Sequence, residues 1–228
     1  MADWFQNLFD QTKLDFANST WLVEEKLSTK TIESLLPCQA TAVYRCRQIE
    51  PASGKEGIIK IHMQIPHSGG PSVKQAANEE ITRINICAKT EIDFLTHLTK
   101  HGCRSTPRLI SHTLIRQTEE MRLPGGYIIF LLMEKLPGKT IFDFWNYDLG
   151  TRNRIRAAFK SAWMEMNSAC VRHNDTAIRN ILWDEEAEKC YILDFEDAEF
   201  IDSPTNWPTH EFSYWELEKK SQERKPIL

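Results

Sequence analysis

Apolar positions change their spacing several times along the chain, and each change predicts a different element. Over the first 30 residues Trp4, Phe5, Leu8, Phe9, Leu14, Phe16, Trp21 and Leu22 recur near helical spacing, which predicts an N-terminal helical arm over residues 1–30. Exposed aromatics at that density are costly unless covered, so the arm either packs on the neighbouring sheet or docks a partner. From Thr31 the pattern turns to strands: TIESLL, ATAVYRCRQI and GIIKIHMQI, separated by LPCQ and by EPASGKE with its turn-forming Pro, Ser and Gly. A long helix comes next over AANEEITRINICAKTEIDFLTHLTKH, with Ile81, Ile84, Ala88, Ile92, Leu95 and Leu98 on one face and His101-Gly102 as its end. TPRLISHTLIR and GYIIFLLMEKL read as two more strands, and the unbroken apolar run YIIFLLM is that of a strand buried on both faces.

Beyond Thr140 the spacing is mostly helical. TIFDFW predicts a short turn of helix, and TRNRIRAAFKSAWMEMNSACV a longer helix with Ile155, Phe159, Ala162, Met166 and Ala169 on one face. NILW and YIL predict a hairpin about EEAEK, and EFSYWELEKKSQE a closing helix. The result is an α+β chain: the arm (1–30), an antiparallel sheet with one long helix (31–136), and a reduced, mostly helical C-terminal region (137–228). At 228 residues, 41% of them hydrophobic, this fits one substantial domain or two closely packed lobes. A net charge of −4 gives no global attraction to nucleic acid or to acidic membranes. No apolar run reaches the length of a membrane span, and MADWFQNLFD carries acids where a signal peptide carries bases. The six cysteines show no CxxC spacing and read as reduced thiols of a cytoplasmic protein rather than a zinc site. The oligomeric state is not legible.

Polar residues placed against this pattern mark the candidate chemistry. Lys60 interrupts the apolar run GIIKIHMQI, where an ammonium needs either an exposed face or an anionic partner. Glu91 borders the apolar stripe of the long helix and is either a solvated flank residue or such a partner, with Glu79 and Glu80 as rivals nearer the helix start. The stretch from His173 to Asp197 sets Asp175, Asn180 and Asp194 at one end of the predicted hairpin. Two carboxylates and an amide oxygen there suit a hard cation such as magnesium, which shares oxygen ligands with phosphate. His173 leads this loop and reads as a structural hydrogen-bonder. Arg179 is a phosphate contact, a carboxylate contact or a surface residue. Arg152, Arg154 and Arg156 meet phosphate or form a solvated face.

The spacing HND-TAIR-N followed by DFE resembles the catalytic and metal loops of the protein-kinase-like superfamily, H-x-D, four residues, N, then D-F-G. Glu in place of Gly looks most like the choline kinase and aminoglycoside phosphotransferase branch. The runs RNILW and DFEDAE are also similar to small fungal kinase-like proteins. The resemblance implies a two-lobed fold and transfer of the ATP γ-phosphate to a small-molecule hydroxyl with magnesium. It implies that Asp175 accepts the hydroxyl proton, that Asn180 and Asp194 hold magnesium, with Glu196 and Asp197 as further ligands or supports, and that Glu91 holds Lys60 towards the phosphates. Backbone groups of Glu134 and Leu136 would meet the adenine.

Two departures accompany it. LLPCQATAVY has no glycine where kinases cover the phosphates with a glycine-bearing loop. Only 34 residues follow Asp194, which predicts no peptide-binding region. These keep two other functions in view: a kinase fold turned to other transfer chemistry, such as aminoacyl transfer from a transfer RNA in peptide or cyclodipeptide formation, and a non-catalytic pseudokinase that binds a partner.

Overall fold

A computed structural model describes residues 4–6, 8–33, 37–66 and 86–219. They form two compact units, one from the described parts of Met1–Thr99 with Arg108–Lys135, the other from Lys100–Pro107 with those of Leu136–Leu228.

The first unit is built on an antiparallel sheet of β1 (Lys13–Phe16), β2 (Ser19–Ile32), β3 (Gln39–Glu50), β4 (Glu56–Gln64), β5 (Leu109–Arg116) and β6 (Tyr127–Glu134), in the order β1-β2-β3-β4-β6-β5. Helix α1 (Ile86–Lys100) belongs to the same unit. Alternation sets the faces: on β3, Tyr44 and Cys46 are buried while Val43 and Arg45 are half-exposed. Strand β4, between β3 and β6, is buried on both faces along most of its length. The ladder opposes Thr41 to His62 and Val43 to Lys60, and on the other side His62 to Ile129.

The start of the chain corrects the helical expectation. Residues 13–16 and 19–32 are strands joined by a turn, and the residues from Trp4 to Asp10 that are described form turns and a bend. Trp21 and Val23 are buried two residues apart, which is strand spacing, and the backbone of Val23 exchanges hydrogen bonds with Gln11 and Thr12 (3.0 and 2.9 Å). The three-and-four recurrence of aromatics had another cause: Phe5, Phe9, Phe16 and Trp21 all enter one core with Ile59, Ile61 and Phe130. Phe9 meets Phe130 edge to face at 5.5 Å. Coverage by the sheet, not an exposed arm, is how these rings escape water.

Helix α1 ends at Lys100, followed by Gly102 at φ +70°, as expected. Its start as read from the sequence, with Ile81, Ile84, Glu79 and Glu80, lies outside the described residues, as do Leu35 and Leu36 of the glycine-free connection.

The second unit holds β7 (Lys139–Thr140), α2 (Leu149–Ser168), β8 (Val171–His173), β9 (Ile181–Asp184), β10 (Lys189–Ile192), β11 (Ala198–Phe200) and α3 (Glu211–Tyr214). Asp148 caps α2 by accepting from the Thr151 amide at 3.0 Å, and the face read from the sequence, Ile155 to Ala169, is buried. Strands pair as β10-β9-β7 and β11-β8. Gly138 is required here: at φ +96° a Cβ would stand 2.5 Å from the Trp183 carbonyl oxygen. The expectation of a mostly helical region is thus corrected to one long helix with five short strands among the described residues. The closing helix is corrected as well, to a single turn. Glu216 takes φ +60°, and Trp215 and Leu217 turn into the core, so tertiary burial overrides the helical pattern.

Candidate active site residues

Lys60 and His62 are two residues apart on β4 and so share a face. On α1 the buried face comprises Ala88, Glu91, Phe94, Leu95 and Leu98. Glu91 therefore lies within the apolar stripe rather than on its flank. Its carboxylate meets the Lys60 ammonium with both oxygens, at 2.9 Å (Oε1) and 2.8 Å (Oε2). Lys60 is 6% exposed and Glu91 2%, so the exposed-face alternative for Lys60 and the solvated-flank alternative for Glu91 both fall. The same carboxylate takes a second contact, from His62 Nε2 at 3.2 Å.

Sequence reasoning missed His62 and the residues behind it. Gln39 Nε2 reaches His62 Nδ1 at 2.9 Å, and the Tyr127 hydroxyl donates to Gln39 Oε1 at 3.1 Å. A signal was present: Lys60, His62 and Gln64 occupy alternate positions of a strand whose other positions are Ile59, Ile61 and Met63. Three polar residues in register on a strand of an apolar run ask for buried partners. Glu134 closes β6 opposite Gly57 of β4, and its N–H donates to the Arg108 carbonyl (3.0 Å). Leu136 is the first residue of the second unit after that strand. A cavity of about 320 Å³ in the first unit, lined by Trp4, Gln64, Gln117 and Arg122 among others, contains neither Lys60 nor Glu91.

In the second unit, β8 ends on His173, a single 3-10 turn spans Ile178–Asn180, and β9 begins at Ile181. The predicted hairpin is present: Ile192 opposes Ile181, and Leu193 N–H donates to the Asn180 carbonyl at 2.9 Å. Asn180 and Asp194 thereby stand at the same end of the hairpin. Asn180 Nδ2 donates to the Asp175 carbonyl (2.9 Å) and to Asp175 Oδ2 (3.0 Å). Arg179 Nη2 holds the other oxygen, Oδ1, at 2.5 Å. Of the roles read for Arg179, the carboxylate contact is present, on a side chain 55% exposed. The Asp175 carboxylate is thus gripped on both oxygens by residues four and five positions later.

His173 is buried and donates from Nε2 to the Leu193 carbonyl at 2.9 Å, which makes it a tie between the loop and the residue preceding Asp194. Its Nδ1 has no hydrogen-bond partner among the described residues, and its ring lies against Phe195 and Trp215 at 5.1 and 5.2 Å. Burial holds its pKa below the ordinary histidine value, against the pull of the Leu193 carbonyl, Asp194 and Asp175. Asp194 sits at φ +65°, a region that aspartate tolerates better than most L residues. Asn174 N–H donates to the Asp197 carbonyl (2.9 Å), so Asp197 closes the loop from the other side. Glu196 is buried. The three arginines of α2 have local partners: Arg152 lies over Trp145, Arg154 pairs with Glu188, and Arg156 donates to the Leu217 carbonyl.

Among solved structures the chain is similar to the kinase PK-1 of the Cydia pomonella granulovirus. The two share 15% identity with a TM-score of 0.46, over 82% of this chain and 55% of that one. The chain therefore spans about half the length of that structure. No curated protein matches. The sequence model described as the lipopolysaccharide kinase (Kdo/WaaP) family matches residues 85–225, more than half of the chain and all of the loop from His173 to Asp197. The chain belongs to the lipopolysaccharide kinase (Kdo/WaaP) family and, through it, to the protein-kinase-like superfamily.

Proposed function

We propose that this protein is a small-molecule phosphotransferase that moves the γ-phosphate of ATP to a hydroxyl of a sugar-like or amino-alcohol acceptor, with magnesium. The observation that carries this reading is the Lys60–Glu91 pair. Lys60 lies outside the stretch matched by the family, yet the fold of the first unit brings it onto Glu91 inside that stretch. A buried ion pair adds little stability over a well-packed apolar pair, so its presence in this buried strand asks for a use. An ammonium fixed on a strand and ready to meet phosphate oxygens is such a use.

Each remaining residue has a task its geometry suits. Asp175, oriented through both oxygens, accepts the proton of the acceptor hydroxyl; Arg179 and Asn180 fix the direction of that carboxylate. Asn180 and Asp194 fit a magnesium site. Asn180 commits its amide nitrogen to Asp175 and keeps its carbonyl oxygen for a hard cation, and the Leu193–Asn180 backbone bond holds Asp194 at the same end of the hairpin. A magnesium ion held by Asn180 and Asp194 would supply charge neutralisation to the phosphoryl group being transferred. Backbone groups of Glu134 and Leu136 would receive the adenine. Glu196 following Asp194-Phe195 supports a position nearest the choline kinase and aminoglycoside phosphotransferase branch, which takes small acceptors.

Titration calorimetry with Mg-ATP tests the reading, followed by ATP consumption against a panel of sugars, alcohols and amino alcohols. Asp194→Ala is expected to abolish turnover while the circular dichroism spectrum is unchanged. Absence of binding heat at millimolar ATP would sink the proposal. One observation favours a second reading, a kinase fold used for another transfer: the connection from Glu33 to Cys38, between β2 and β3, has no glycine to let backbone N–H groups approach phosphates. Co-purified RNA, or group transfer without ATP, would favour it.

A further inference from the structure

We infer that His62 is a positioning residue: with Gln39 and Tyr127 behind it, it holds the Glu91 carboxylate in the orientation that presents the Lys60 ammonium. The catalytic consequence of this inference rests on the phosphotransferase reading; its structural content does not.

Glu91 is almost fully buried, and its two oxygens both lie on Lys60. A carboxylate gripped by one ammonium alone can still rotate about its last bond, because ammonium is a point charge with three interchangeable donors. A second donor at a different position removes that freedom. His62 supplies it, two residues along the same face of β4 and 3.2 Å from Oε2. The arrangement also satisfies an acceptor that burial would otherwise leave costly.

The imidazole can do this only with its proton on Nε2, and three strands combine to put it there. The Tyr127 hydroxyl, on β6, donates to Gln39 Oε1 at 3.1 Å, which turns the amide so that Nε2 points to His62. Gln39 Nε2, on β3, then donates to Nδ1 at 2.9 Å and to the Thr41 hydroxyl at 3.2 Å. Nδ1 is therefore the acceptor and Nε2 carries the hydrogen that faces Glu91. Gln39 and His62 are fully buried and Tyr127 nearly so, which leaves no water to substitute for any link. Such a fully satisfied buried chain rigidifies its members. In this arrangement a donor faces an acceptor at each link from Tyr127 through Gln39 and His62 to Glu91, with the Thr41 hydroxyl also 3.4 Å from Nδ1.

The test uses the full chain and three substitutions. His62→Gln keeps a donor long enough to reach Glu91, His62→Asn is too short to do so, and His62→Leu offers neither donor nor acceptor. Imidazole nitrogen resonances of the wild type should show a protonated Nε2 and a bare Nδ1. The Lys60 ammonium should give a slowly exchanging nitrogen–proton signal that survives in His62→Gln and is lost in His62→Asn and His62→Leu. In turnover with Mg-ATP, His62→Asn should lose about tenfold in kcat, the size of one transition-state contact, with acceptor KM unchanged and near-complete rescue in His62→Gln. Tyr127→Phe should give a smaller loss in the same direction. A protonated Nδ1 in the wild type, or a Lys60 signal unchanged in His62→Leu, overturns the inference. Those two readouts need no nucleotide, so a wild type that fails to bind ATP defeats the phosphotransferase reading alone.

Discussion

Lys60–Glu91 in the first unit and Arg179–Asp175 in the second are both cation–carboxylate pairs at hydrogen-bond distance, yet their surroundings are opposite. The first pair has side chains 7% and 2% exposed, the second 55% and 31%. In the first, the surroundings force the partnership: either charge alone in that core would be costly. In the second, water can take the place of either partner, and the pair sets direction more than stability. A polar residue in an apolar strand is therefore a stronger statement about structure than one in a loop, while the loop residue is freer to serve a ligand.

The widest separation between the two pairs is expected from removing the acid in each. Glu91→Ala removes the buried carboxylate that both Lys60 and His62 contact, and breaking a buried pair in this way costs about 3–5 kcal/mol. Urea unfolding of the full chain reads the effect. A loss below about 1 kcal/mol would mean that Lys60 finds water in solution, and the contrast between the units would collapse.

His173 sharpens the comparison from the side of protonation. Its pKa is depressed by burial, so the folded state binds its proton less readily than the unfolded chain does. The stability it permits is full above the unfolded histidine value of about 6.5 and falls as pH drops through it, at up to about 1.4 kcal/mol per pH unit. Unfolding free energies between about pH 7.5 and 5, the range around that value, should show this acid limb in the wild type and a shallower one in His173→Gln. Equal slopes would show that His173 titrates alike in the folded and unfolded states.

How far these features were legible tracks the same division. The hairpin at residues 181–192, the strands about Lys60 and the buried face of α2 could be read because spacing and side-chain type agreed there. That Asp175, Asn180 and Asp194 gather at one end of the hairpin was legible from their spacing, since a loop between two short strands holds few alternative geometries. The first 30 residues misled because Phe5, Phe9, Phe16 and Trp21 share a core through turns and strand alternation, and a mixed pattern imitates a helical one. Trp215 and Leu217 misled for a related reason: their burial bends the chain out of the helix that EFSYWELEKK would otherwise form. His62 stayed hidden because its partners Gln39 and Glu91 are 23 and 29 positions away, one reaching it from the neighbouring strand and the other from the buried face of α1.

Arg179→Ala tests the exposed pair and should cost no more than about 1 kcal/mol of stability, since exposed pairs contribute about 0.2–1 kcal/mol. Its larger effect is expected on turnover, because Asp175 Oδ1 loses the group that fixes its direction. A stability loss as large as that of Glu91→Ala would show that the loop depends on this pair for its fold.

Glu211 completes the comparison as the smallest effect, a buried carboxylate whose donors are neutral. Its Oε1 accepts from Trp215 Nε1 at 2.8 Å, and Trp163 supplies a second hydrogen bond. Burial outweighs both and raises its pKa. The folded state therefore holds the proton to higher pH than the unfolded chain, so the stability that Glu211 contributes is full at acid pH and is lost as pH rises through the folded value. Glu211→Gln keeps an oxygen for the indole and removes the charge. It should stabilise the chain slightly at neutral pH, and the gain should vanish below the ordinary carboxylate range near about pH 4. For Glu91 the same change removes a charge that its cation needs, so Glu91→Gln should destabilise at neutral pH. Opposite signs for these two substitutions, measured by thermal unfolding at one pH, would establish that it is the partner and not burial alone that decides whether a carboxylate belongs in this core; equal signs would refute it.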